Sequence, residues 1–188
     1  LRQIVDLRKQ KPELKVLLSI GGWGSGRFSE MAANDEYRRA FAVDCERVVE
    51  EFALDGIDID WEYPTSSMAN ISSSPDDTEN FTLLMQDIRA AIGNEKELTL
   101  ATVASARYID FKAILPSVDF VNIMAYDMAS APKHHSALYP SGHSGDITSD
   151  GAVTAHLKAG VPPSKLVMGM PFYGRGGDGY PSFQDYNK

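Results

Sequence analysis

Residues 55–64 read DGIDIDWEYP, with Asp55, Asp58, Asp60 and Glu62 set among apolar side chains. On an extended strand, successive side chains point to opposite faces. Asp58, Asp60 and Glu62 therefore share one face, and Ile57, Ile59 and Trp61 share the other. A surface edge strand would explain the acids but not the Ile, Ile and Trp opposite them, nor the equally apolar neighbouring sequence. Three carboxyl groups along one buried face are costly, because desolvation and mutual repulsion both oppose ionisation. The same crowding keeps one acid protonated near neutral pH while a neighbour is ionised, which suits proton-transfer chemistry. Asp55 has the opposite parity, at the start of the strand, and reads as structural.

The elements that must hold these acids follow from periodicity. The end of a helix is expected over Leu1–Gln10, closed by Lys11-Pro12, and a short buried strand over Leu14–Ile20 before Gly21-Gly22. Tyr37, Phe41, Cys45, Val48 and Phe52 recur at helical spacing within Asn34–Phe52. The acidic strand covers Gly56–Tyr63, and a Ser-, Asn- and Pro-rich loop runs from Pro64 to Pro75. A second amphipathic helix, Asp76–Ile92, ends at Gly93-Asn94. Further strands are expected over Leu98–Ala104, Asp119–Tyr126 and Leu166–Tyr173, with a helix over Asp150–Ala159 between the last two.

Regular β–α alternation implies a parallel sheet with helices outside it. Five strands would complete an open doubly wound sheet, but no glycine-rich phosphate loop follows any of them. Polar and aromatic residues gather at the C-terminal strand ends instead: Ser19 and Trp23, Asp60 and Glu62, Tyr126 and Asp127, Tyr173 and Arg175. Barrel enzymes build their sites there, although open α/β sheets also bind ligands at that end. An α/β barrel is the better reading.

The chain has 188 residues, enough for one ordinary domain with a sizeable core. Its formal net charge of −8 argues against nucleic acid and anionic membranes as partners and is compatible with a neutral glycan. The longest apolar runs, such as Val16–Ile20 and Leu166–Met170, are too short to span a bilayer, so no membrane insertion is expected. Cys45 lies on the helical face of Phe41, Val48 and Phe52 and reads as buried; as the one cysteine it forms no disulfide within the chain. His134, His135, His143 and His156 lack metal-site spacing and carboxylate company, so no metal is expected.

Asp55, Asp58, Asp60 and Glu62 match the DxxDxDxE signature of glycoside hydrolase family 18, and WEYP continues it. Ser19-Ile20-Gly21-Gly22 resembles the family's SxGG motif one strand earlier. Met124-Ala125-Tyr126-Asp127 resembles its MxYD motif two strands later, and Gly169–Arg175 (GMPFYGR) its G-x-P-x-Y-G-R segment on the next strand. The resemblance covers nearly the whole chain and is chitinase-like. It implies a (β/α)8 barrel, here about strands three to seven, with residues 1–188 a single catalytic domain incomplete at both ends.

The resemblance also implies a substrate-assisted reaction. Glu62 would protonate the glycosidic oxygen, the substrate's own N-acetyl oxygen would attack the anomeric carbon, and Asp60 would stabilise the acetamido N–H. Asp58 would share a proton with Asp60. Tyr126 would donate its hydroxyl to the acetamido oxygen; a core tyrosine with a satisfied hydroxyl is the plainer reading. Ser19 would hydrogen-bond the deep carboxylate, and Gly21 and Gly22 would let backbone pass close to it. Trp23 would stack on a sugar or simply pack. Asp127 and Arg175 would bind sugar hydroxyls or form a supporting ion pair, and Met124 and Tyr173 belong to the implied substrate-binding set.

No cofactor is implied. The expected partner is chitin or an N-acetylglucosamine oligosaccharide, met by a monomer, in the extracellular space or periplasm. An endo-β-N-acetylglucosaminidase acting on N-glycans would share the mechanism. A chitin-binding lectin would typically lack the proton donor, which Glu62 supplies.

Overall fold

A computed structural model describes residues 1–177. They fall into two compact units, one of Leu1–Ala101 with Tyr108–Phe120, the other of Thr102–Arg107 with the chain from Val121 on. Five parallel strands alternate with helices, and their order in the sheet follows the chain. The fold class is the α/β one expected.

In the first unit, strand β1 (Leu17–Gly21) pairs with β2 (Gly56–Asp60), and β2 with the part of β3 (Glu97–Val103) that runs to Ala101. Helix α1 (Arg2–Val5) is followed by a 3-10 turn over Asp6–Lys9, rather than by one helix to Gln10. Neither turn buries a residue, so no packed face sustains a longer helix. Arg8 is drawn instead to the Ala53 carbonyl and the Asp55 carboxylate. Asp55 also accepts the Val16 N–H, which makes it the structural acid its parity suggested.

Helices α3 (Asp35–Phe52) and α4 (Asp77–Ile92) pack side by side over the strands. Asn34 caps α3 by accepting from the Glu36 and Tyr37 amides at 2.9 and 3.0 Å. Ala42, Cys45 and Val49 from α3 and Phe81, Leu84, Met85 and Ile88 from α4 are buried. Burial pushes the Cys45 thiol up to about 12, in keeping with an inert packing residue. Two short helices, α2 (Phe28–Ala33) and α5 (Phe111–Ile114), were not anticipated; each is too short for its periodicity to register. Phe28 at the start of α2 stacks on Trp61 with centroids 5.4 Å apart.

The second unit holds β4 (Phe120–Met124) from Val121 on, β5 (Leu166–Met168) and helix α6 (Ser149–Lys158). Ala104, Ile123, Ala125 and Ala152 form its core, with Met128, Ile147, Val153 and Leu166 against them. His156, fully buried, is 2.8 Å from Thr102 Oγ1 through Nε2 and 2.8 Å from the Ala152 carbonyl through Nδ1. Nδ1 therefore donates and Nε2 accepts, and burial lowers the pKa of the ring.

Four strands stop short of their expected ends: β3 by one residue, at Val103, β4 at Met124 rather than Tyr126, and β2 and β5 by more. β2 ends at Asp60 rather than Tyr63, because its partner β1 ends at Gly21 and turns away at Gly22 (φ +100). β5 ends at Met168 rather than Tyr173, since its pairing with β4 runs out at Ile123 and Pro171 has no amide to donate. Among the described residues, no helix is long and apolar enough to cross a membrane.

Candidate functional site

The sequence-derived site residues form two groups, one in each unit. The first centres on β2. Ile57, Ile59 and Trp61 are buried at 0, 0 and 2% exposure, while Asp58, Asp60 and Glu62 are half-buried. The expected alternation persists through Glu62, two residues past the strand. The acidic face is not fully buried as expected, so the desolvation cost is partial.

Register aligns Ser19, Asp58 and Thr99 across β1, β2 and β3. Ser19 Oγ donates to Asp58 Oδ2 at 2.7 Å and Thr99 Oγ1 to Asp58 Oδ1 at 2.5 Å. Two hydroxyl donors thus hold both carboxylate oxygens of Asp58 in place. Asp60 differs. Burial first, then the charges of Glu62 and Asp58, push its carboxyl up to about 7. Its Oδ1 is buried without a hydrogen-bond partner among the described residues. Gly21 passes beside it: a Cβ there would lie 2.0 Å from the Asp60 carbonyl oxygen, and the Gly22 amide donates to that oxygen at 2.7 Å. Only glycine fits, as the SxGG-like run suggested.

Beyond β2, Tyr63 hydrogen-bonds Glu62, and burial and the neighbouring acid raise its phenol. Its ring stacks on Tyr108 (centroids 5.5 Å apart) and meets Trp23 edge-on at 6.4 Å. Trp23 is 60% exposed, so much of its ring is open to solvent beside that edge contact.

The second group lies past the ends of β4 and β5. Tyr126 is half-buried, its ring edge-on to Tyr173 at 6.2 Å and close against Gly169, where a Cβ would be 2.9 Å from Tyr126 Cε1. Arg175 forks onto both carboxylate oxygens of Asp127, with Nε to Oδ1 at 2.6 Å. Those bonds, helped by the Tyr173 hydroxyl and opposed by partial burial, hold the Asp127 carboxyl below the usual carboxylate range. The ion-pair reading of Asp127 and Arg175 is therefore the one this geometry contains. Met124 ends β4, half-buried, with no polar group to offer but its backbone.

The sequence model for Glycosyl hydrolases family 18 matches residues 1–185. The chain belongs to that family.

Chitinase A1 of Niallia circulans is 38% identical over 95% of the chain, which spans 29% of that protein. The chitinase domain of the spore coat protein CotE from Clostridium difficile superposes with a TM-score of 0.89 at 41% identity, over 93% of this chain and 54% of that one. A family 18 N-acetylglucosaminidase from Paenibacillus barengoltzii gives 0.86 at 39% identity, over 92% and 55%. The family 18 chain thus spans about half the length of these solved structures and has their α/β-barrel fold class, with five strands among the described residues.

Sequence reasoning missed Tyr63, Thr99 and His135, which touch implied site residues of this family 18 chain, and Tyr108, which stacks on Tyr63. Thr99 was findable as a polar residue inside the apolar LTLATV strand, and Tyr63 stands within the quoted WEYP run. Tyr108 follows the end of β3, where site residues collect. His135 was weighed only as a metal ligand. Its role is hydrogen bonding.

Proposed function

We propose that the chain is the catalytic part of a chitinase, which hydrolyses β-1,4 bonds of chitin or chitooligosaccharides by a substrate-assisted mechanism that retains configuration. Asp60 carries the reading: a half-buried carboxyl at about 7, raised by burial and by Glu62 and Asp58, with one oxygen unpartnered among the described residues. A carboxyl so placed exchanges its proton near neutrality. An acetamido N–H would give the ionised form the donor that Oδ1 lacks.

In the first step Glu62 gives its proton to the glycosidic oxygen and the C1–O bond breaks. The acetamido oxygen bonds to C1, and positive charge spreads toward the acetamido nitrogen, where Asp60 opposes it. Tyr126 is assigned to hold that acetamido oxygen in attacking position. Glu62, now ionised, takes a proton from water as water attacks C1 and the oxazolinium ring opens. Burial and Glu62 do most to raise Asp60, and Asp58, bonded by the Ser19 and Thr99 hydroxyls, adds the smallest share. Similarity to chitinases supports the substrate class.

A second reading, an N-acetylglucosaminidase, is favoured by the Paenibacillus neighbour. It shares every step, and on N-glycans it would differ only in the leaving group. Product analysis tests both. Acetylated chitin oligomers should yield β-configured product by NMR, and fully deacetylated chitosan should stay uncut. Inverted product or cleaved chitosan would overturn the mechanism. Cleavage of a high-mannose glycoprotein in preference to a chitin oligomer would select the second reading.

A further inference from the structure

The segment leaving β4 is tied down on both sides of Tyr126 from one place. Ser136 Oγ donates to the Ala125 carbonyl at 2.6 Å. The Asp127 amide donates to His135 Nδ1 at 3.1 Å, and the Met128 amide to the His135 carbonyl at 2.9 Å. Asp127 has a left-handed backbone (φ +55), so the chain turns sharply directly after Tyr126. A non-glycine residue holds that conformation where its surroundings over-determine it.

The imidazole of His135 reaches the other segment as well. Nε2 is 3.3 Å from the Tyr173 carbonyl, and the ring stacks on the Tyr173 ring with centroids 5.2 Å apart. An amide N–H needs an unprotonated nitrogen, and a carbonyl oxygen needs a donor. These two partners call for the Nε2–H tautomer; the Asp127 carboxylate, whose Oδ1 lies 3.3 Å from Nδ1, pulls the other way but is already engaged on both oxygens by Arg175. The side chain is 13% exposed, so water competes weakly for either bond.

We infer that His135 is a positioning residue: through Nδ1 and Nε2–H its imidazole joins the Asp127 amide to the Tyr173 carbonyl and so fixes the direction in which Tyr126 presents its hydroxyl. The kinetic part rests on the role proposed above for Tyr126; the hydrogen bonds do not.

Two sets of measurements on the full-length protein test this. Nitrogen-15 NMR of the native histidine should show the Nε2–H tautomer, and the Asp127 amide should exchange faster in His135→Phe but not in His135→Asn. Asparagine keeps an acceptor near the Nδ1 position, whereas phenylalanine keeps only the ring against Tyr173. On a chitin oligomer, His135→Phe should lower kcat by ~10²-fold with a far smaller change in KM, as loss of positioning does. His135→Asn should recover most of kcat, and His135→Gln, which retains only the distal group, should not. An Nδ1–H tautomer, wild-type kcat in His135→Phe, or an asparagine variant no better than the glutamine one would overturn the inference. If His135→Phe fails to fold, the asparagine–glutamine comparison decides. An inactive wild type, or an active Glu62→Gln, would reject the functional reading alone; the tautomer and the Asp127 exchange rate would still judge His135.

Discussion

Asp60, the last residue of β2, and Asp127, just past β4, occupy opposite electrostatic surroundings. Around Asp60 burial and two further acids oppose ionisation, and the carboxyl rises to about 7. Around Asp127 a guanidinium fork and a phenol hydroxyl meet the carboxylate, and the carboxyl falls below its usual range. One residue type thus serves two ends. The first region can exchange protons near neutrality, as a reacting centre needs. The second is already neutralised, and its bonds hold the segments that leave β4 and β5.

The sharpest break in this comparison would come from the acid itself. Glu62→Gln should lower turnover of chitin oligomers by ~10²–10⁴-fold while binding changes little, because only a transition-state contribution is lost. Retention of a tenth of wild-type turnover would remove the first region from the chemistry.

The opposite shifts of the two aspartates give opposite stability effects. Unfolded Asp60 ionises near 3.8 and folded Asp60 near 7, so the folded state loses stability as pH rises across that interval. Asp60→Asn should therefore melt higher than wild type at pH 8 by several degrees, each kcal/mol being worth ~2–4 °C at this chain size, and show no such gain at pH 4. Asp127 contributes stability that is present above the ordinary carboxylate range and lost as pH falls through its lowered pKa. Asp127→Asn should melt lower at pH 8, by under ~1 kcal/mol, because the ion pair is exposed. Shifts of the same sign in thermal melts at pH 8 would erase the contrast.

The smallest effect sharpens the comparison within the second unit. His156, like Asp60, is shifted by burial toward its neutral form. For a histidine this means full stability above the unfolded pKa of 6.5, and loss as pH falls below it, where only the unfolded chain takes the proton. The wild-type melting temperature should decline from pH 7 to pH 5, and His156→Gln should flatten that slope even if it melts lower throughout. An unchanged slope would assign the acid sensitivity to other groups.

Local pattern was enough for β2: the alternation of Asp58, Asp60 and Glu62 with Ile57, Ile59 and Trp61 survives in the burial, and it does so past the strand end. The bounds of α3 and α4 were likewise legible, since Asn34 and Gly93 act within one turn of the helices they flank; Ala53, whose left-handed backbone closes α3, was not. Strand ends were not. β2 stops at Asp60 and β5 at Met168 because neighbouring strands stop or turn, and a neighbour's length is not written in the strand's own residues. The same holds for the charge states. Composition and spacing brought three carboxyls onto one face, but the register that sets Ser19 and Thr99 against Asp58, and leaves Asp60 the carboxyl raised to about 7, exists only once three strands align. His135 is the furthest case: nothing within its own segment marks it, and its role comes from the Asp127 amide and the Tyr173 carbonyl, 8 and 38 residues away in the chain. Sequence determines what chemistry the side chains can do; the pairing of distant backbone decides which of them share a hydrogen bond and therefore which proton each one holds.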